Sequence, residues 1–399
     1  MPSRPMNRPE TITAPLDAVA AATHAAPYAY YARLIAERPI ARDPRLGLWV
    51  AASASAVEAV LADPKCRVRP LAEPVPAAIV GTAAGELFRR LVRMTDGGSH
   101  CPMKGAMHAA IDTIDRQAAA RRAQETASAL CVRLAPSADP GAITALSFRL
   151  PVHVVAGLLG IPAHCHDRMT DWIDAFVRSI SPVANGATVE AGADAARAMM
   201  DVFESAVIDG WAGGLLANFA GNAARAGIRD AGLVAANAVG LMMQSYEATA
   251  GLIGNTLLAI AAQGMDAGRL RADPASLRDV VQEVLRHDPP IQNTRRFVAE
   301  AGVVAGEPME PGDAILVVLA AANRDPAVNP SPHAFDPARR SPRRFTLGHG
   351  AHACPGGDLS ETIAGAGIAT LLAWSVNIGH LAGSFAYRPS PNARIPIWG

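Results

Sequence analysis

One cysteine in this chain is set among glycines. In Phe345-Thr-Leu-Gly-His-Gly-Ala-His-Ala-Cys-Pro-Gly356 and the residue after it, Gly348, Gly350, Gly356 and Gly357 flank Cys354. Glycine permits positive φ and lets a flat ligand approach the backbone closely. The sequence predicts a helix starting just after Cys354, with Pro355 suited to its first position. A helix N-terminus lowers a thiol pKa and leaves N–H groups free to bond sulfur. Such a setting suits an anionic ligand to iron. On heme iron, a thiolate pushes electron density in the sense that favours O–O cleavage. A lone cysteine in a Gly-rich loop is usually structural, but the spacing Gly350, His352, Cys354, Gly356 argues against that here.

The rest of the chain narrows the setting. Half of its 399 residues are hydrophobic, enough to bury a large core. Its 36 basic and 36 acidic side chains cancel, and no Lys/Arg block resembles a nucleic-acid footprint. The five cysteines (Cys66, Cys101, Cys131, Cys165 and Cys354) form no CxxC pair and no disulfide framework, which fits a reducing cytoplasm. Met1 to Pro27 has no long apolar stretch, so neither a signal peptide nor a membrane anchor is expected there. The run Ala314–Ala322 is too short to span a bilayer and reads as a buried strand.

Helical periodicity is expected over 28–38, 54–63, 101–133, 142–159, 166–178, 190–210, 231–262, 275–287 and 357–374, with breakers such as Pro64, Pro136, Pro140, Pro162 and Pro182. Residues 70–98 read as loop with a helical piece near 85–94. Strand signals occur at 47–52 and within 291–318, and a Pro- and Arg-rich loop fills 323–356. The expected fold is mainly α with a minor β portion, in one compact domain over 1–399.

The cysteine loop resembles the heme-binding signature of the cytochrome P450 family, Phe-x-x-Gly-x-[His/Arg]-x-Cys-x-Gly. Gly350, His352, Cys354 and Gly356 fall on it, while Leu347 stands where the family usually has Phe. The resemblance implies the P450 fold and heme b (iron protoporphyrin IX) held by Cys354. Glu283-x-x-Arg286, followed by Pro289-Pro290 and by Phe335-Asp-Pro-Ala-Arg339, resembles the family's Glu-Arg-Arg triad, a structural lock closed by Arg339. Taken singly, Glu-x-x-Arg is a common helix-surface pair. His100 and Lys104 match the family's Asp-Pro-Pro-x-His-x-x-x-Arg, with Lys104 in place of Arg. With Arg296 (or its neighbour Arg295) and His352, they are the implied partners of the heme carboxylates. Any one of these alone would read as an ordinary surface cation.

The expected helix 231–262 resembles the family's oxygen-activating helix, but with departures. Gln244-Ser-Tyr-Glu-Ala248 aligns with [Ala/Gly]-Gly-x-[Asp/Glu]-Thr. The acid is kept as Glu247. Gln244 and Ser245 replace small residues, and Ala248 replaces the alcohol. Thr249 carries a hydroxyl one residue later, turned by about 100° around the helix. In the family the alcohol and acid relay protons. Here Gln244 or Ser245 supplies the polar group, a substrate hydroxyl does, or the reaction is not plain hydroxylation. Gln244 satisfying its own helix backbone is the plainer reading.

By the same resemblance, the pocket is lined by the 70–98 loop, the 165–200 helices, the 241–249 helix and 291–293. These read as small and apolar, with polar points at Gln244, Gln292 and Asn293 beside Ile291. The implied activity is a monooxygenase acting on a small organic molecule of specialised metabolism. Electrons would come from a separate ferredoxin and an NAD(P)H-dependent ferredoxin reductase docking on the thiolate side. The chain is expected to be a monomer without nucleic-acid or membrane partners. Alternatives are an atypical P450 doing oxidative coupling, desaturation or peroxide-driven oxidation, and a non-catalytic heme-binding sensor.

Overall fold

The computed structural model describes residues 13–210 and 213–399. The reading of Met1–Pro27 therefore rests in part on residues 1–12, which lie outside the described residues, as do 211 and 212.

Local capping sets the helix boundaries. The expected helix 101–133 is in fact two, His100–Ile111 and Arg116–Leu134. Asp115 caps the second, its carboxylate accepting from the N–H groups of Gln117 and Ala118 at 2.8 and 3.1 Å. An N-cap carboxylate satisfies donors that have no partner within the helix, so the chain restarts there. Helices Gly214–Arg225 and Ala267–Ala272 and strands Ile40–Asp43 and Cys66–Arg67 were not expected. The last three are too short to carry a period of their own, while Gly214–Arg225 was overlooked although Leu215, Leu216, Phe219 and Ala223 share one face. The run Ala314–Ala322 splits into a strand, Ala314–Val317, and a helical turn, Leu319–Ala322.

A mixed five-stranded sheet runs in the order Ile40–Asp43, Leu48–Ala51, Ala314–Val317, Thr294–Val298, Cys66–Arg67. Period-two alternation divides its central strand between two cores. Ile315 and Val317 pack with Val57 and Val60 on one face, while Leu316 and Val318 pack with Tyr31 on the other.

The larger core is helical and is built around the long helix Ala231–Ala262. Asp230 caps that helix by accepting from the Leu233 N–H at 3.0 Å. Buried residues occur around its whole circumference, among them Ala235, Ala238, Val239, Met242 and Ile253, as expected of a helix surrounded by protein. Among the described residues, the helix Pro140–Leu158 has the length and apolarity to cross a membrane, yet two-thirds of it is buried inside the fold.

The helix Pro274–His287 ends on a histidine whose proton can be assigned. Arg324 can only donate, so its contact at 2.9 Å makes His287 Nδ1 an acceptor. The His333 carbonyl can only accept, so Nε2, at 3.0 Å, carries the hydrogen. Burial, then the Arg324 charge, hold the His287 pKa down to about 3. An unfolded histidine protonates near pH 6.5. This site therefore contributes stability that is complete above about pH 6.5 and is lost as pH falls toward about 3, by at most about 1.4 kcal/mol per pH unit. A His287→Gln variant is expected to have a lower melting midpoint at neutral pH and a shallower decline in acid. An acid limb as steep as that of the unaltered protein would contradict this assignment.

Candidate active site

Cys354 opens onto a cavity of about 690 Å³. One wall is the long helix, with Leu241, Gln244, Ser245, Glu247, Ala248 and Leu252. The opposite wall combines Thr346 and Leu347 with Leu359, Ser360 and Ile363 of the helix Gly357–Ala373. The cysteine loop is tightly wound. The Cys354 N–H donates to the Leu347 carbonyl at 2.7 Å, and the Gly348 N–H to that of Phe345 at 2.8 Å. Gly348 and Gly350 take φ of 74° and 64°, where a side chain would be strained. At Gly357 a Cβ would lie 2.9 Å from Leu347 Cδ1. Leu347, the departure from the family pattern, thus packs down on a position with no side chain.

The helix begins where the periodicity of 357–374 suggested, but Pro355 is not its first residue. It starts at Gly357 with Gly356 as its cap, and Pro355 lies in the preceding turn. Burial raises the Cys354 thiol pKa, opposed by the Gly356 N–H and the Lys104 charge. The expected lowering by the helix end is therefore outweighed by desolvation, which disfavours the charged thiolate.

The candidate cofactor-binding cations lie beside the cavity rather than on its lining. His100 is buried, with its ring 4.4 Å from that of His352. His352 Nε2 meets Asp96 Oδ1 at 3.1 Å. Burial, with lesser contributions from His352 and Lys104, lowers the His100 pKa to about 4. The Lys104 ammonium donates to the carbonyls of Ala351 and Ala353, the latter at 2.8 Å. Arg296 is buried and spends one N–H on the Arg295 carbonyl at 2.9 Å. Among the described residues Arg296 makes no ion pair with a carboxylate. An apolar slot above a lone thiol, with a basic cluster at one edge, fits a flat, dianionic macrocycle.

Glu283, Arg286 and Arg339 come together as expected. Arg286 grips Glu283 through two bonds of 2.9 and 2.6 Å, and Arg339 Nε lies 3.6 Å from the same carboxylate. Arg286 also donates to the carbonyls of Pro332 and Ala334 at 2.8 and 2.9 Å, which fastens the loop leading to the cysteine.

On the long helix the polar groups are largely engaged. Gln244 Nε2 donates to the Gly240 carbonyl at 2.9 Å, and Ser245 Oγ to that of Met242 at 2.8 Å. Thr249 does not line the cavity; it is fully buried, with its hydroxyl 2.9 Å from that of Ser360. Gln292 also turns away, contrary to its expected place in the pocket. It donates to the Pro289 carbonyl at 2.7 Å and accepts from Tyr31 at 3.1 Å. Extended backbone alternates sides, so Ile291 and Asn293 face the cavity and Gln292 cannot.

The pocket is more charged than its sequence suggested. Arg93, Arg178 and Arg388 all line it. Arg388 lies 3.8 Å from Glu247 and 3.3 Å from Asp174, and Arg178 meets Asp174 at 2.7 Å. Burial raises the Glu247 pKa, with Arg388 pulling the other way. A lone arginine in a loop carries no sequence signal of this kind, and the partners of Arg388 are remote in the chain.

The fold and the site define a heme-thiolate protein. A sequence profile of the cytochrome P450 family matches residues 271–374. Cytochrome P450 monooxygenase PikC of Streptomyces venezuelae is 29% identical over 360 residues, covering 87% of this chain and 83% of that protein. The 20-oxo-5-O-mycaminosyltylactone 23-monooxygenase of Streptomyces fradiae is 27% identical, covering 83% and 78%. In fold, the chain is similar to CalO2, with a TM-score of 0.79 at 23% identity over 93% of this chain and 94% of that one. It is also similar to P450BioI in its complex with a fatty-acyl-ligated acyl carrier protein, at 0.78 and 22% over 92% and 96%. The chain belongs to the cytochrome P450 family. It is an oxidoreductase of the monooxygenase kind, and its cofactor is heme b.

Proposed function

We propose that this P450 oxidises a small organic molecule of specialised metabolism, using O2 and electrons from a separate ferredoxin and its NAD(P)H-dependent reductase. The observation that carries the reading is the Cys354 thiol opening onto a largely apolar cavity that Glu247 also lines. In it, Cys354 is the iron ligand, and His100, Lys104, Arg296 and His352 form the basic edge that receives the cofactor carboxylates. When bound, the cofactor supplies oxygen activation at iron. The chain's own residues exclude water, orient the substrate and handle protons. Apolar walls do the first. Ile291 and Asn293 face the substrate space and contribute to the second. Glu247 suits the third, because it lines the cavity and burial shifts its pKa upward, toward the form that can donate a proton. The relative named for tylactone oxidation supports the substrate class.

Ala248 supports a second reading. With no alcohol at that position and the Thr249 hydroxyl committed to Ser360, the proton route differs from the family's usual one. Coupling, desaturation or peroxide-driven oxidation then competes with hydroxylation. Turnover of a substrate library with a surrogate ferredoxin system tests the first reading. Product formed from peroxide without any reductase favours the second, and a failure of both leaves a ligand-binding heme protein. Coupling of NADH use to product separates the roles on the helix. Ala248→Thr is expected to raise the coupled fraction and Gln244→Ala to lower it. Unchanged coupling in both variants would remove Gln244 and Ala248 from the proton route.

A further inference from the structure

The cavity charges do not cancel. Three guanidiniums line it, from Arg93, Arg178 and Arg388. Two carboxylates answer them: Asp174 meets Arg178 and Arg388, and Glu247 lies against Arg388. Arg93 is left over. It makes no hydrogen bond or ion pair among the described residues, and its Nε is buried without a partner. Arg93 is half-buried, and a guanidinium withdrawn from water is costly unless it is paired.

Arg93 is also held in place. It lies in the turn Val92–Met94, which is clamped to the long helix. Asn237 of that helix accepts from the Val92 N–H at 2.7 Å and donates to the Arg90 carbonyl at 3.0 Å. One turn further along, a Cβ at Gly240 would meet Leu91 at 3.0 Å, so turn and helix are in close contact. Glu247 and Arg69 are the charged groups that act on Arg93, and neither is in ion-pair contact with it. Burial, the larger effect, lowers the Arg93 pKa to about 10, which still leaves it charged at neutral pH.

We propose that Arg93 is a specificity residue that binds a carboxylate of the substrate, so that the preferred substrates are monoanionic organic acids. This rests on the oxygenase reading above and narrows its substrate class. A planar guanidinium fork matches a carboxylate with two parallel bonds, and neutralising it removes the one unbalanced charge of the cavity. Much of the remaining wall is aliphatic, with Leu241, Met243, Leu252, Ile291 and Ile363, which suits an acid with a hydrocarbon or aromatic body.

The test uses the heme-loaded protein and matched probes, decanoate and 4-phenylbutyrate, each against its primary amide. Binding is read from the Soret change on titration and, independently, from the rise in melting midpoint. In the unaltered protein the acids are expected to bind about tenfold to a hundredfold tighter than the amides. Arg93→Gln removes that preference, weakening the acids while leaving the amides and the heme content unchanged. Arg93→Lys keeps part of it and serves if the glutamine variant does not fold. Equal binding of acids and amides, no response to either acid, or an acid preference that survives Arg93→Gln overturns the proposal. Loss of heme in Arg93→Gln with the preference intact also overturns it and makes Arg93 a cofactor partner. An absent thiolate band in the unaltered protein would count against the oxygenase reading alone, because the melting shift still reports acid against amide.

Discussion

A Cys354→Ser protein is expected to fold, to lose the red-shifted carbon monoxide band that thiolate ligation gives, and to lose turnover by at least about a hundredfold. That loss corresponds to about 2.7 kcal/mol on the barrier. The loop geometry is why folding survives. Cys354 holds its place through its backbone N–H on the Leu347 carbonyl, and Gly348 and Lys104 shape the turn around it without using the sulfur as a support. Serine keeps the size of the side chain and removes the soft ligand and its electron donation to iron. The measurements are the reduced, CO-bound spectrum, heme content and product formation. Cys101→Ser is the control, since Cys101 is an exposed residue at the start of the helix His100–Ile111, and it is expected to change none of them. If the band persisted in Cys354→Ser, the ligand would be another residue and the assignment of the site would fail.

The second large effect is expected behind the cofactor space. Glu283→Gln leaves Arg286, which has no solvent exposure, without its counter-charge. Breaking a buried pair from one side costs about 3–5 kcal/mol, because the remaining charge stays desolvated. Chemical denaturation should therefore show a clear loss of stability. Heme retention is expected to fall with it, because Arg286 also secures the carbonyls of Pro332 and Ala334 ahead of the cysteine loop. Arg339→Gln is expected to cost less. Arg339 lies at 3.6 Å and has other bonds, to the Pro330 and Ser331 carbonyls. If Arg339→Gln proved the more damaging of the two, Arg286 would not be the centre of the lock.

These sites were legible in the sequence to different depths, for physical reasons. The cysteine loop and the triad could be read because their chemistry lies in short, ordered spacings. The long helix could be read because it is rich in apolar residues and no proline interrupts it from 231 to 262. The division of 101–133 was missed because Asp115 acts as a cap only through geometry, while the apolar pattern runs through it. Gln292 was misplaced because polarity was used to assign it to the pocket, whereas strand alternation decides which way a side chain faces. The charge of the cavity was missed for a deeper reason. Arg93, Arg178 and Arg388 are distant in sequence, and only the fold shows that two of them are answered by carboxylates while the third is not.

The ammonium of Lys104 has a consequence for assembly. Where the family usually presents a planar fork, this chain has a point charge with rotatable donors, and these are spent on the carbonyls of Ala351 and Ala353. The cysteine loop is therefore tied to the helix His100–Ile111 by the protein's own bonds. Assembly of the site thus rests on one rotatable side chain, and its removal would loosen the thiol's own loop as well as subtract a charge from the basic edge.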